Sequence, residues 1–357
     1  MMQEESAKKL SLFLAFNQTP SMTHNVRLFA VTLAGAACFA SPAGRADPIR
    51  HDFIAIDEGL SNLLRIDESD PSKNWLMHIG KPHPRDMQLE GGGLLLISHD
   101  HGYSEYDIAT GAQLADVSAF HDVSSARRLQ NGDMLVAGVD FDGVKKNKAD
   151  NALGDPAGRH VLVVEYDPQG RQVRRMTYVG DYLRLLRITA AGTYLFSCNT
   201  VFKEGDENGN FISREFHADG FKHAWKAIRL ANGNTLTSAG YGAFMAEFDP
   251  EARLIRKFGA ADQVPLEVHP YFYGLFQLLP NGDVVVANWQ GHGPSHGGQG
   301  AQLIEFDPQG RIVWRWDNRQ HVIFSSIQGV LVLDGLDPAV RYDERNGVME
   351  PLADVTR

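Results

Sequence analysis

Cysteine is nearly missing from this chain: its 357 residues hold two, Cys38 and Cys198. That excludes the disulfide-stapled scaffolds of small secreted domains. A basic excess is missing too, since 34 Lys and Arg face 44 Asp and Glu for a formal net charge of −10. Nucleic acid and anionic membrane surfaces are therefore not expected partners. No apolar stretch reaches the roughly 20 residues that a membrane-crossing helix needs, so no span is expected. Stock metal spacings such as His-Glu-x-x-His are absent as well. What is present is an ordinary globular composition, 43% hydrophobic with 35 Gly, enough to bury a large core.

The first 46 residues read as export machinery. Met22 to Arg27 is a short, weakly basic segment, Leu28 to Ala40 is almost wholly apolar, and the stretch ending at Ala46 is rich in small residues. That order is the one a secretory signal uses. Residues 1–21 then read as an over-called start or a long leading region. Cleavage near Ala46 predicts a periplasmic or secreted protein. It removes four Lys/Arg and two Asp/Glu, taking the net charge from −10 to −12. Cys38 leaves with it. Cys198, inside Leu195-Phe196-Ser197-Cys198, reads as a small buried hydrophobe.

One short phrase recurs four times, as Glu105-Tyr106-Asp107, Glu165-Tyr166-Asp167, Glu247-Phe248-Asp249 and Glu305-Phe306-Asp307. The last three run on into Pro. Upstream stands a second phrase, Leu129-Gln130-Asn131-Gly132, Leu230-Ala231-Asn232-Gly233 and Leu279-Pro280-Asn281-Gly282, with Leu89-Glu90-Gly91-Gly92 as a variant. Asn-Gly between apolar runs marks a hairpin, because the tight turn needs residues that tolerate positive φ. Strand, hairpin, strand, and a further pair joined at Asp-Pro-x-Gly make one four-stranded blade, repeated.

The fold class is therefore all-β, a six-bladed β-propeller over 47–335. Blades begin near His83, His121, Tyr182, Phe221 and Phe272. The copy from Tyr182 is degenerate, with Glu215-Phe216-His217 in place of the carboxylate phrase. Residues 53–80 supply three strands, and 323–335 the missing inner one, so that the last strand closes the first sheet and no edge stays exposed. A separate sheet at 323–335 would make seven blades. Residues 336–357 read as a polar C-terminal tail. Arg128, Arg187 and Arg229 read as one equivalent repeat position, a structural ring bonded to the repeated carboxylates.

In a propeller, the connections that enter the innermost strands and those between the second and third strands emerge on one face, around the axis. Ten of the thirteen His beyond Ala46 fall there by this register, with Tyr, Trp and cations. Function in repeat folds sits on connections held by a rigid frame, so this funnel is the expected site. His223, suited to proton transfer by its ordinary pKa, is the leading catalytic residue, with Tyr241 and His292. Arg184 and Lys226 would neutralise a substrate carboxylate. Ligand-binding positions are Arg85, Tyr103, His121 and Tyr182 on early blades, then Lys222, Trp225, Tyr273, Asn288 and Trp289. Inter-blade packing is the competing reading for Trp225 and the tyrosines.

His99 and His101 project from the same side of an extended segment. With His296 on the loop Gly291 to His296, they admit a divalent metal. Hydrogen bonds to loop backbone are the alternative. No other cofactor is required by the sequence. Asp206-Glu207-Asn208-Gly209-Asn210 departs from a calcium loop at its sixth and twelfth positions and reads as a turn. The polar insertion 140–160 reads as a lid over the funnel or a solvated excursion.

Leu279-Pro280-Asn281-Gly282-Asp283 and Glu305 through Trp314 resemble the repeats of bacterial exported propellers of the quinoprotein-like and arylsulfotransferase-like group. The resemblance covers roughly 53–335 and implies architecture. The quinone-associated phrase occurs once, as Asp107 to Gly111, without its following Trp, so quinone is not expected. Arylsulfotransferase-like enzymes use an axial His with His, Arg and Asn around the sulfuryl group, residue types that His223, His292, Arg184 and Asn288 supply here. Three functions stay open. The first is binding of a uronate or sulfated oligosaccharide, with lyase or hydrolase activity; the second is sulfuryl transfer through an axial His; the third is a scaffold without turnover. A monomer is expected.

Overall fold

The computed structural model describes residues 48–139, 160–180, 182–213, 215–317 and 324–352. The export segment, the insertion 140–159 and His321 lie outside the described residues. The described chain is all-β, with two short 3-10 turns and no helix long and apolar enough to cross a membrane.

Six sheets stand around one axis. Blade 1 contains Asp52–Asp57, Asn62–Asp67 and Trp75–His78, and its innermost strand is Ile327–Val332 from the other end of the chain. The closing pair is antiparallel, Phe53 against Val332 and Ile54 against Leu331, so the ring is locked by backbone hydrogen bonds between its ends. All six residues of the closing strand are buried. Blades 2, 3, 5 and 6 have innermost strands Met87–Gly91, Val123–Arg128, Ala227–Arg229 and Tyr273–Leu278.

The register follows from side-chain size and turn chemistry. Second strands such as Met134–Val139 and Val284–Asn288 are buried along their whole length, because both faces pack on neighbouring blades. Outer strands such as Gln113–Val117 face solvent. The hairpin glycines Gly132, Gly233 and Gly282 sit at φ of 87°, 88° and 89°, a region costly for any residue with a Cβ. In the outer turns, Asp167 and Asp307 each accept two backbone N–H groups, from Gln169 and Arg171 and from Gln309 and Arg311. This is the reason that the phrase keeps Asp at that position.

Blade 4 differs from the sequence reading. Its strands are Leu186–Ile188, Tyr194–Cys198 and Val201–Gly205, and the fourth position holds only isolated bridges at Phe211 and Phe216. Glu204, not Glu215, takes the repeated carboxylate position. Asp206 then accepts from Asn208 N and Asn210 N, so Asp206 to Asn210 is the outer turn in disguise. The arginine register shifts too. Arg128 pairs across its hairpin with Met134, Ile188 with Tyr194, and Arg229 with Thr235. Ile188 is thus the partner position of Arg128 and Arg229, while Arg187 matches Arg127. The one-residue slip carries Arg187 from the blade interface to the axis.

Ion pairs tie blade to blade at this level. Arg128 Nη2 reaches Glu105 Oε1 at 2.6 Å, and Arg229 Nη2 reaches Glu204 Oε2 at 2.6 Å. His51 makes the same kind of join at the ring closure, with Glu305 at 3.1 Å and Asp334 at 2.5 Å.

The segment expected as a polar tail does something specific. Tyr342–Asn346 and Val348–Pro351 form a hairpin that enters the axis from the face of the tight turns. It pairs with Tyr273–Leu278 through Val348 and Leu278. Asp343 and Glu344 are buried there against Arg127, Arg187 and Lys226, with Asp86 completing the cluster. Three cations and three carboxylates balance, which is why polar residues tolerate an axial position. Burial alone would raise Glu344, but Lys226, Arg187 and Arg127 hold it down at about 2. The hairpin thus fills the axis on that side.

Candidate functional site

The upper wall is built where each chain enters an innermost strand. Tyr182 and Arg184 precede Leu186–Ile188, His223 and Trp225 precede Ala227–Arg229, and Tyr271 and Phe272 precede Tyr273–Leu278. His83 and His223 hold φ of 47° and 52°, strained for residues with a side chain. The His223 backbone N–H is fixed by Asn199 Oδ1 at 3.0 Å. The imidazole is thereby set between Tyr182 and Tyr241, each 5.4 Å away by ring centroid.

From there the rings continue in contact, with Phe272 and Trp289 buried behind Tyr241 and Tyr271. Tyr241 lies 5.9 Å from Tyr271, 4.9 Å from Phe272 and 6.2 Å from Trp289, and Trp289 lies 4.6 Å from His292. Lys222 Nζ stands 5.6 Å from the Tyr241 ring. Tyr241 is half-buried and Tyr271 exposed, so one side of this wall is open.

Arg184 is the centre of the arrangement. Its guanidinium lies 4.5 Å from the Tyr182 ring centroid and 5.6 Å from that of Trp225, a cation–π stack. Among the described residues no carboxylate pairs with it. Its Nε is buried without a hydrogen-bond partner in the protein, and so are the Tyr182 hydroxyl and Trp225 Nε1. Burial lowers the guanidinium from its ordinary value, and nearby Arg85 adds to that; an arginine remains charged all the same. Burial pushes the Tyr182 hydroxyl up to about 12 against the pull of Arg184, so it stays a donor. Three adjacent buried groups thus present N–H or O–H and receive nothing back.

Arg85, by contrast, is paired, with Nη1 at 2.6 Å from Asp100 Oδ1 and 3.0 Å from Val123 O. Asp100 also holds His83 Nδ1 at 2.6 Å. At the opposite rim His292 Nδ1 lies 2.8 Å from Glu58 Oε1, and Trp289 Nε1 donates to Glu58 Oε2 at 3.1 Å. Asp100 and Glu58 escaped sequence reasoning. Glu58 follows the second strand of a blade whose repeat phrase is missing, and Asp100 stood only as the spacer between two histidines.

The structure thus brings Tyr182, Arg184, Lys222, His223, Trp225, Tyr241, Trp289 and His292 together along blades 4 to 6, with Arg85 on blade 2, separated from Arg184 by blade 3. It does not bring the others. Lys226 lies below, fully buried, and gives its Nζ hydrogen bonds to Glu344 Oε1 at 2.6 Å and Phe276 O at 2.5 Å. Tyr273 is core, its hydroxyl donating to Gly259 O at 2.7 Å. Asn288 is a buried bracket whose amide spans Tyr271 N and Ala301 O. Tyr103 packs half-buried among apolar residues of blades 2 and 3.

The metal candidates separate as well. His99 is buried with Nδ1 accepting from His101 N and Nε2 at 3.2 Å from Ser104 Oγ. Burial takes it down to about 4, so it is neutral. His101 packs edge-on against His121 at 5.9 Å, and His296 is exposed beside Ser295. Among the described residues no three His, Cys, Asp or Glu side chains gather closely enough to hold a metal ion. Cys198 is buried and in no disulfide among the described residues, as its apolar strand suggested.

No family model matches the sequence, and no curated protein does. Solved structures are similar in fold. A protein of unknown function from Bacteroides caccae superposes with a TM-score of 0.62 at 20% identity, over 80% of this chain and 99% of that one. The WD40 β-propeller domain of Doa1 gives 0.50 at 13% identity, over 80% and 89%. At these identities the likeness establishes the β-propeller and leaves the chemistry to the site.

Proposed function

We propose that the funnel binds an anionic ligand, and that this ligand is an acidic oligosaccharide bearing uronate or sulfate groups, met outside the cytoplasm after export through the segment ending near Ala46. The observation that supports this most is the cluster of Arg184, Tyr182 and Trp225. Buried polar groups are nearly always hydrogen-bonded, and three unsatisfied donors side by side are a cost that a bound acceptor removes. A carboxylate or sulfate offers several acceptor oxygens and the charge that Arg184 lacks. The open rings of Tyr241 and Tyr271 on the same wall suit the apolar faces of sugar rings.

A thermal-shift series tests the reading. Uronate and sulfated oligomers should raise the melting temperature while neutral oligomers do not, because a ligand at a hundredfold excess over its Kd stabilises by about 2.7 kcal/mol. Arg184→Ala should weaken binding about ten- to a hundredfold, the worth of a charged hydrogen bond. Equal shifts in wild type and Arg184→Ala, or none with any anionic oligomer, would contradict it.

A further inference from the structure

We propose that Asp100 sets the charge specificity of the Arg184 site, so that the site takes a singly charged oxyanion, a carboxylate or a sulfate ester, and turns away a doubly charged phosphate ester. This deepens the anion-binding reading above and rests on it. Arg85 and Arg184 enter the molecule by the same register, each two residues ahead of an innermost strand, Met87–Gly91 and Leu186–Ile188. What separates them is the residue after the second strand.

The strand pairings make that residue identifiable. Met87 lies opposite Ile97, and Leu186 opposite Phe196. Counting on by three, Asp100 and Asn199 occupy one equivalent position. In blade 2 it is a carboxylate, and Asp100 Oδ1 stands 2.6 Å from Arg85 Nη1, with Oδ2 2.6 Å from His83 Nδ1. Its backbone is pinned on both sides, since Asp100 N donates to Pro82 O and Val123 N donates to Asp100 O, each at 3.1 Å. In blade 4 the position is a neutral amide, and Asn199 Oδ1 accepts the His223 N–H at 3.0 Å. One arginine therefore has its counter-ion built in, and the other has none among the described residues.

The two blades are coupled through their charges. After burial and Tyr182, the Arg184 guanidinium feels Arg85 and Asp100 in opposite directions. With Arg85 cancelled by Asp100, one positive charge remains for a ligand on Arg184. Lys222 is exposed beside Tyr241, where water screens it. A singly charged group on Arg184 leaves a neutral pair, whereas a doubly charged one leaves an excess negative charge in a partly buried place. Sulfate and phosphate esters share a tetrahedral shape and three terminal oxygens. At pH 8 they differ by one charge, because the second pKa of a phosphate ester is about 6. Shape cannot tell them apart here, and charge can.

The test is calorimetry on the full chain at pH 8 with glucose 6-sulfate, glucose 6-phosphate and glucuronate. Wild type should bind the sulfate about tenfold or more tighter than the phosphate, a reasonable cost for one uncompensated charge. Glucuronate, the carboxylate arm, should follow the sulfate in every variant. Asp100→Asn keeps the shape and uncovers Arg85, so the phosphate should come within about twofold of the sulfate. Arg85→Gln leaves Asp100 uncompensated and should weaken both, the phosphate more. The two variants thus move the preference in opposite directions, which loosening of the fold does not do. Phosphate bound as tightly as sulfate by wild type, or a preference unchanged in Asp100→Asn, overturns the role of Asp100 and leaves the anion site standing. Absence of binding by all three and by any acidic oligomer overturns both.

Discussion

At the scale of single residues, the propeller separates charges that are satisfied from those that are not. Most are satisfied, and His51 shows how firmly. Burial alone would lower its pKa, but the carboxylates of Asp334 and Glu305 outweigh this and hold it at about 9. An unfolded histidine titrates near 6.5, so the folded state binds its proton more tightly. The stabilisation is therefore complete below about pH 6.5 and is lost as pH rises through about 9. A difference of that size corresponds to about 3 kcal/mol, an upper value because Asp334 is partly exposed. Urea unfolding at pH 6 and pH 10 should show wild type losing this stability, with His51→Gln nearly insensitive over the same range. Equal losses in both proteins would remove His51 from the account. Arg184 is the opposite case, a cation stacked on two aromatic rings with no carboxylate ion-paired to it among the described residues, only the more distant charge of Asp100. Its residue type and place were legible in the sequence, since the chain entering an inner strand must face the axis. Its lack of a partner was not, because that depends on where Asp100 and Glu58 point, and neither stands in a repeated phrase.

Elements were legible wherever a turn dictates a residue. Asn131-Gly132, Asn232-Gly233 and Asn281-Gly282 mark hairpins because the glycine takes positive φ and the Asn Oδ1 accepts the backbone N–H two residues on, and Asp before Pro-x-Gly marks outer turns because its carboxylate caps two N–H groups. Blade 4 obscures both signals: Ala190-Ala191-Gly192 replaces the first, and Asp206 to Asn210 lacks Pro. The count then slips by one at Arg187 and by a whole strand at Glu215. The C-terminal hairpin was hidden for a different reason. Asp343 and Glu344 look like part of a solvated run, and only their partners Arg127, Arg187 and Lys226 on three separate blades make them interior. Removing one side of a buried pair strands the other. Glu344→Gln, which leaves Arg187 and Lys226 short of a counter-charge, should destabilise by about 3–5 kcal/mol in urea unfolding. A loss below about 1 kcal/mol would mean that the hairpin sits on the axis without bracing it.

At the scale of the whole molecule, the two ends of the chain decide what the ring can do. The closing strand Ile327–Val332 joins the last segment to the first sheet, and the hairpin beyond it fills the lower channel. One accessible end remains, and the aromatic wall, the unpartnered cation and the Glu58–His292 pair all face it. The molecule is therefore a closed ring of six sheets with Arg184 near the axis of an otherwise acidic chain. On the proposed reading, charge of that sign in that place would select for an anionic group brought in on a larger, ring-bearing ligand. The most direct measurement is a crystal structure of the protein soaked with an acidic uronate disaccharide. The account predicts a carboxylate within hydrogen-bond distance of Arg184 and the Tyr182 hydroxyl, with sugar rings lying along Tyr241 and Tyr271. A disaccharide bound elsewhere, with Arg184 untouched at saturating concentration, would contradict it.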